Sequence, residues 1–200
     1  MNWLADMIAH WPKCYLEGEF NLASGGKDSN YIDLWVLLTN RSILSRIAMQ
    51  VLGQTRELDY NTVGGCELAS MPIADAVMMR QAMVSHTFLV RKQPKTTGPE
   101  KLVEGSLQPS DRALVVEDVT STGKSVAHAV EAVLDLGVTV VGIMACVDRE
   151  EGAHEMLQEK FSLDFRSITT LSEIRKALWS RGTEEIQVQA ALNSKVSRSV

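Results

Sequence analysis

Glu117 and Asp118 are adjacent carboxylates at the end of a short apolar run, Ala113 to Val116, and Val119-Thr120-Ser121-Thr122-Gly123-Lys124-Ser125 follows them directly. The order reads as an apolar strand, two acids, a turn dense in hydroxyls, then a helix. Backbone N–H groups at the start of a helix can hold a phosphate, and glycine permits a close turn ahead of it. Thr120, Ser121, Thr122 and Ser125 add donors without much bulk. The segment is not a P-loop, because the glycine spacing required before Lys124-Ser125 is missing. Two neighbouring carboxylates beside a phosphate would repel each other and the ligand unless something intervenes. Ribose hydroxyls can hydrogen-bond to carboxylates, and a magnesium ion can bridge ribose and pyrophosphate oxygens. A solvent-exposed strand end is the bland alternative.

Two further groups could serve the same chemistry. Arg91, Lys92 and Lys95 put three cations just past an apolar strand, with Gly98 and polar neighbours permitting movement. A cationic loop of this kind stabilises a leaving pyrophosphate as its charge grows; a solvated basic turn is the alternative. Gly64-Gly65-Cys66-Glu67, after Thr62-Val63, reads as a second anion-binding turn acting through backbone groups. Glu67 is awkward in that role unless it points away or meets metal, and Cys66 is expected to be inert. Tyr31, with Ile32 and Asp33, offers an aromatic–aliphatic wall for a ligand, or an ordinary strand.

The elements that must carry these groups are legible from periodicity. Ile43, Leu44, Ile47, Val51 and Leu52 recur at helical spacing, Pro72 to Met78 suggests a second helix, and Val126, Val130, Val133 and Leu136 a third, running from Ser125 to Leu136 with Gly137 as its C-cap. Val84–Val90, Ala113–Val116 and Val138–Val147 read as strands. Alternation of strands and helices predicts an α/β fold, a mainly parallel central sheet flanked by helices, with polar groups beyond Val90, Val116 and Val147 meeting along one sheet edge. Residues 1–35 form an expected N-terminal hood and substrate segment, 36–175 the core, and 176–200 a C-terminal extension.

Bulk properties bound the answer further. With 200 residues and 45% hydrophobic content the chain can build one full core, and a formal net charge of −5 disfavours nonspecific nucleic-acid binding. No secretion signal or membrane-spanning run is apparent, and Cys14, Cys66 and Cys146 are too scattered for a disulfide framework, which points to the cytoplasm. His10, His86, His128 and His154 do not make a metal-ligand pattern.

The run Val115 to Gly123 closely resembles the phosphoribosyl-pyrophosphate signature of the type I phosphoribosyltransferases. From Phe20 to about Leu171 the chain is most similar to the orotate phosphoribosyltransferases, through Phe20-Asn21-Leu22-Ala23-Ser24-Gly25 with Tyr31, Val90 to Gly98 with Glu104-Gly105, and Asp148-Arg149-Glu150-Glu151-Gly152. The resemblance implies that Glu117 and Asp118 bind the ribose hydroxyls and that Thr120 to Ser125 cradle the 5′-phosphate. It further implies that Arg149 pairs with the orotate carboxylate, with Tyr31 and Ser121 beside the base, and that the Arg91–Gly98 loop is shared across a homodimer. Magnesium is the implied cofactor, held mainly through substrate and water with no direct protein ligand assigned. Thr97 stands where many orotate enzymes have histidine, and Ala23 and Ala69 where some have lysine. These departures leave open another nucleobase as acceptor, or a regulatory protein that binds phosphoribosyl pyrophosphate with little turnover.

Overall fold

The structure, a computed structural model, describes residues 2–21, 27–94 and 101–180. In chain order the elements are α1 (Trp3–His10), β1 (Tyr15–Asn21), β2 (Lys27–Ile32), α2 (Trp35–Leu38), α3 (Arg41–Gln54), β3 (Thr62–Cys66), α4 (Ser70–Met78), β4 (His86–Val90), β5 (Val103–Glu104), β6 (Arg112–Thr120), α5 (Lys124–Leu134), β7 (Thr139–Asp148), α6 (Ala153–Phe161) and β8 (Phe165–Thr170). Residues 171–180 are helical.

The central sheet has the order β5-β4-β3-β6-β7-β8, and every pairing in it is parallel except that of β5 with β4. Its strands are apolar on both faces because both faces are covered. Along β6, Leu114 and Val116 join the cluster formed with α1, α3 and α4, whereas Ala113 and Val115 join the cluster formed with α5 and α6. Met144 and Cys146 against Ile143 and Ala145 repeat the same alternation on β7. β1 and β2 form a separate antiparallel hairpin with a bulge between Glu17 and Phe20.

The expected helices form, since their apolar stripes have a sheet to cover. Ile43, Ile47 and Val51 of α3 are buried, and Asn40 caps that helix by accepting the Ser42 and Ile43 N–H groups at 3.0 and 3.3 Å. The third helix ends earlier than expected, at Leu134 with Asp135 as its cap. Gly137 lies just beyond, at φ +77°, and its N–H donates to the Leu134 carbonyl. Parallel register carries Cys66 beside Val90, and Thr120 beside Asp148, so the C-terminal ends of β3, β4, β6 and β7 share one edge. Among the described residues, no helix is long and apolar enough to cross a membrane.

Candidate functional site

β6 does not stop at Val116. It continues to Thr120 because β7 keeps pairing with it, Glu117 with Ala145 and Thr120 with Asp148, so the acidic pair sits inside the strand rather than beyond it. Glu117 is buried, and its carboxylate accepts the N–H of Asp118 at 3.2 Å. Burial first, and then the neighbouring Asp118, push the Glu117 carboxyl well above the usual range, while the Lys92 ammonium opposes that shift. A group in this state is receptive to a hydrogen-bonding or positive partner.

The strand then gives way to the hydroxyl-rich turn. Gly123 begins α5 in the left-handed conformation, φ +77°, and no side chain caps the helix among the described residues. Its leading N–H groups are therefore open to an anion. Thr120, Ser121, Thr122, Gly123, Lys124 and Ser125 line one cleft of about 300 Å³, whose wall also includes Tyr31, Asp118 and Arg149. The structure thus brings into one cleft residues that are far apart in sequence.

Arg149 is held by the turn after β7. Its N–H donates to the Thr120 carbonyl at 2.9 Å, its Nε to Glu151 Oε1 at 2.9 Å, and its terminal nitrogen lies 3.4 Å from the Asn30 carbonyl on β2. A guanidinium only 6% exposed needs such partners to offset its desolvation. Asp148 Oδ1 accepts the Glu150 N–H, Glu150 takes a positive φ of 60°, and the Glu150 carboxylate accepts the Ser172 N–H. Those bonds turn Arg149 inward. Tyr31, next to Asn30 on β2, is 44% exposed, its ring 5.7 Å from that of Phe20, so it is both a hairpin residue and a cleft residue. Burial, followed by the charges of Asp33 and Asp118, raises its phenol, which stays neutral at physiological pH.

The other expected site residues are arranged differently. Gly64, Gly65 and Cys66 are the last residues of β3 rather than a turn, and the turn begins at Glu67. A Cβ at Gly64 would come 2.0 Å from the Phe88 carbonyl oxygen, and one at Gly65 would come 2.0 Å from that of Val116, so the glycines serve close strand approach. Cys66 is buried, and burial, aided by Glu117, lifts its thiol to about 11, which keeps it protonated and inert near neutrality. Glu67 points to the main chain, its Oε1 accepting the Lys92 N–H at 3.0 Å. Arg91 pairs with Glu104 at 3.0 Å, and neither it nor Lys92 lines the cleft. Lys95, Thr97 and Ala23 lie outside the described residues.

Sequence reasoning missed His128, whose Nε2 meets the Arg91 carbonyl at 2.8 Å, and the support given to Arg149 by Glu151 and Asn30. Only Glu151 had a signal, its place two residues after Arg149. Among the described residues, no cluster of three or more His, Cys, Asp or Glu side chains is arranged to hold a metal ion.

No family model matches the chain. It is 41% identical to the orotate phosphoribosyltransferase of Pyrococcus abyssi over 149 residues, which cover 74% of this chain and 81% of that protein. Among solved structures, it is similar to the orotate phosphoribosyltransferase of Mycobacterium tuberculosis H37Rv in complex with Fe(III) dicitrate, with a TM-score of 0.73 and 34% identity over 86% of this chain and 96% of the other. The same protein in complex with 5-phospho-α-D-ribosyl 1-diphosphate gives 0.70 and 33%, over 86% and 96%.

Proposed function

The chain belongs to the orotate phosphoribosyltransferases, and we propose that the cleft between β6, β7 and the hairpin is where it carries out their reaction. The enzyme joins orotate to phosphoribosyl pyrophosphate, yielding orotidine 5′-monophosphate and pyrophosphate, a step of pyrimidine biosynthesis. The observation that carries the assignment of the site is the meeting, in one cleft, of the Thr120–Ser125 turn with Arg149 and Tyr31. A turn suited to a phosphate and a guanidinium suited to an anionic base thereby share one cleft.

In this reading the N–H groups and hydroxyls of Thr120 to Ser125 receive the 5′-phosphate. Glu117 and Asp118 accept from the ribose hydroxyls, so the sugar is held while C1′ gains positive character. Arg149 binds the orotate carboxylate, which distinguishes orotate from uracil, and Tyr31 packs on the ring beside Ser121. The base N1 attacks C1′ as its N–H proton passes to the departing pyrophosphate or to water, and the pyrophosphate leaves with the bonding electrons, so no enzyme nucleophile is required. Arg91, Lys92 and Lys95 favour its departure.

The reading includes magnesium. Asp118 on the cleft wall beside the phosphate turn suits an ion held mainly by substrate oxygens and water, and the residues present fit that arrangement. The chemistry magnesium supplies when bound is neutralisation of the pyrophosphate charge. The reading also includes a cytoplasmic homodimer with shared sites. Arg91, turned to Glu104 and absent from the cleft wall, favours a cation supplied by the loop of a second copy. Mixing a loop-deficient subunit with a phosphate-site variant then restores activity; no rescue after verified exchange removes the shared site.

The test of the base assignment is a panel of nucleobases with phosphoribosyl pyrophosphate, run on the wild type and on Arg149→Ala. Orotate is the expected acceptor. Its kcat/KM falls roughly 10- to 100-fold in the variant, the loss of about 1.4–3 kcal/mol of charge-assisted bonding, with a much smaller change in phosphoribosyl-pyrophosphate binding. Unchanged orotate kinetics would exclude Arg149 from the base site. Preference for a purine would point to another acceptor, and tight binding without pyrophosphate release to a regulatory protein.

A further inference from the structure

Past Val90, β4 leaves the sheet, where main-chain groups ordinarily turn to water. Here they are held. The Arg91 N–H donates to the Leu102 carbonyl at 2.8 Å, and the Arg91 carbonyl accepts from His128 Nε2 at 2.8 Å. The next N–H, that of Lys92, donates to Glu67 Oε1 at 3.0 Å, while the N–H of Glu67 donates to the Val90 carbonyl at 2.8 Å. A carbonyl can only accept, so the His128 tautomer with its proton on Nε2 is the one the geometry requires. Glu67 follows β3 and His128 belongs to α5, the helix whose start borders the phosphate turn. The turn after β3 and helix α5 therefore grip the same peptide unit, Arg91–Lys92, from its N–H and its carbonyl.

The Lys92 ammonium opposes the rise of the Glu117 and Cys66 groups, which burial drives upward. Movement of the Lys92 backbone would therefore be felt at the acidic pair.

We infer that Glu67 and His128 are positioning residues, a two-sided clamp on the Arg91–Lys92 main chain that sets where the Lys92 cation stands relative to Glu117, the buried member of the acidic pair. The inference rests on the phosphoribosyl-transfer reading of that pair. It also gives the Glu67 carboxylate a structural role, since it accepts a backbone N–H.

Full-length Glu67→Ala, Glu67→Gln, Glu67→Asp, His128→Ala and His128→Gln separate a clamp from its rivals, with folding checked by thermal melts. Formation of orotidine 5′-monophosphate by the wild type in the same assay tests the underlying reaction, and the ratio of variant to wild type tests the clamp. Glu67→Ala is expected to lower kcat/KM for phosphoribosyl pyrophosphate about 10-fold, and His128→Ala about 3-fold. Both glutamine variants recover most of the loss, because each keeps the acceptor or donor that the main chain needs. Glu67→Asp keeps the charge on a shorter arm and behaves like Glu67→Ala. Affinity for orotidine 5′-monophosphate stays within about 2-fold throughout, since the Thr120–Ser125 grip is separate. A wild-type-like Glu67→Asp beside an impaired Glu67→Gln would overturn the clamp in favour of a charge effect. Full activity in both alanine variants, or an equal loss of nucleotide affinity, would overturn it as well. If Glu67→Ala does not fold, the aspartate and glutamine variants still decide between the two.

Discussion

The two ends of the β6–α5 unit carry similar residues put to opposite use. Asp111 stands just before β6 and Glu117 stands within it, and both are buried. Burial alone would raise Asp111, but it accepts from the Gln108 N–H at 2.7 Å, from Asn61 Nδ2 at 2.9 Å and from His86 Nε2 at 3.2 Å, so its carboxyl lies below the usual range. Glu117 has burial and the like charge of Asp118 acting together, and it lies well above. The glycines repeat the contrast. Gly123 and Gly137 share φ +77°, one at each end of α5. A Cβ on Gly123 would meet Met156 Cε at 2.6 Å and Ala153 Cβ at 3.3 Å, whereas one on Gly137 finds Pro109 at an ordinary 3.5 Å. A buried acid surrounded by donors is a joint of the fold. A buried acid beside another acid is strained until a ligand arrives, which is the pattern expected of a functional site.

The sharpest break of that comparison is Glu117→Gln. Loss of an ionised acceptor for ribose is expected to lower kcat/KM by about 100-fold or more, on the scale of a charge-assisted hydrogen bond lost in the transition state. The same change should raise the Tm of the ligand-free protein near neutrality. A carboxyl whose folded pKa is raised contributes less stability as pH climbs from the ordinary glutamate range through the raised folded value. The gain should therefore vanish below the ordinary range. Kinetics and thermal melts across pH check both halves, and a lower Tm at pH 7 would undo the contrast with Asp111.

Asp111→Asn should do the reverse. An amide group cannot accept from three donors, so stability should fall by about 1–3 kcal/mol in urea titrations, with kinetics essentially unaltered. Asp111 has a lowered folded pKa, so its contribution is present above the ordinary aspartate range and is lost as pH falls through the folded value. The gap between variant and wild type should close in acid. A gap that widens there would contradict the assigned donors.

The smallest effects are expected at the glycines. Alanine at Gly137 should cost about 1 kcal/mol for the left-handed backbone, with no kinetic consequence. Alanine at Gly123 should cost more, since its Cβ also meets Met156 and Ala153, and should raise KM for phosphoribosyl pyrophosphate by roughly 3- to 10-fold if the displaced turn is the phosphate grip proposed above. Equal kinetics in the two variants would deny α5 its functional end.

The succession of strand, turn and helix at the β6 end was readable in the amino-acid order. Glu117-Asp118 followed by Thr120 to Ser125 is a local pattern, and a strand leading through a turn into a helix is determined by neighbours in the chain. The parallel sheet was readable for the same reason, since apolar runs and helical stripes alternate along the chain. The strand placement of Gly64-Gly65 was not readable, because a glycine pair looks alike in a turn and in a strand squeezed between two others; the difference lies in Phe88 and Val116, which the local sequence does not bring near. The extension of β6 to Thr120 likewise depends on β7, and the turning of Glu67 toward Lys92 depends on where β4 ends. Arg149 was placed at the correct edge by its position after β7, but its aim comes from Glu151, Asn30 and the Thr120 carbonyl. Local order thus determined which groups were available and on which element, because helix and strand preferences act over a few residues. Long-range packing alone decided which charges became partners and which acid was left strained, because burial and pairing are properties of neighbours in space.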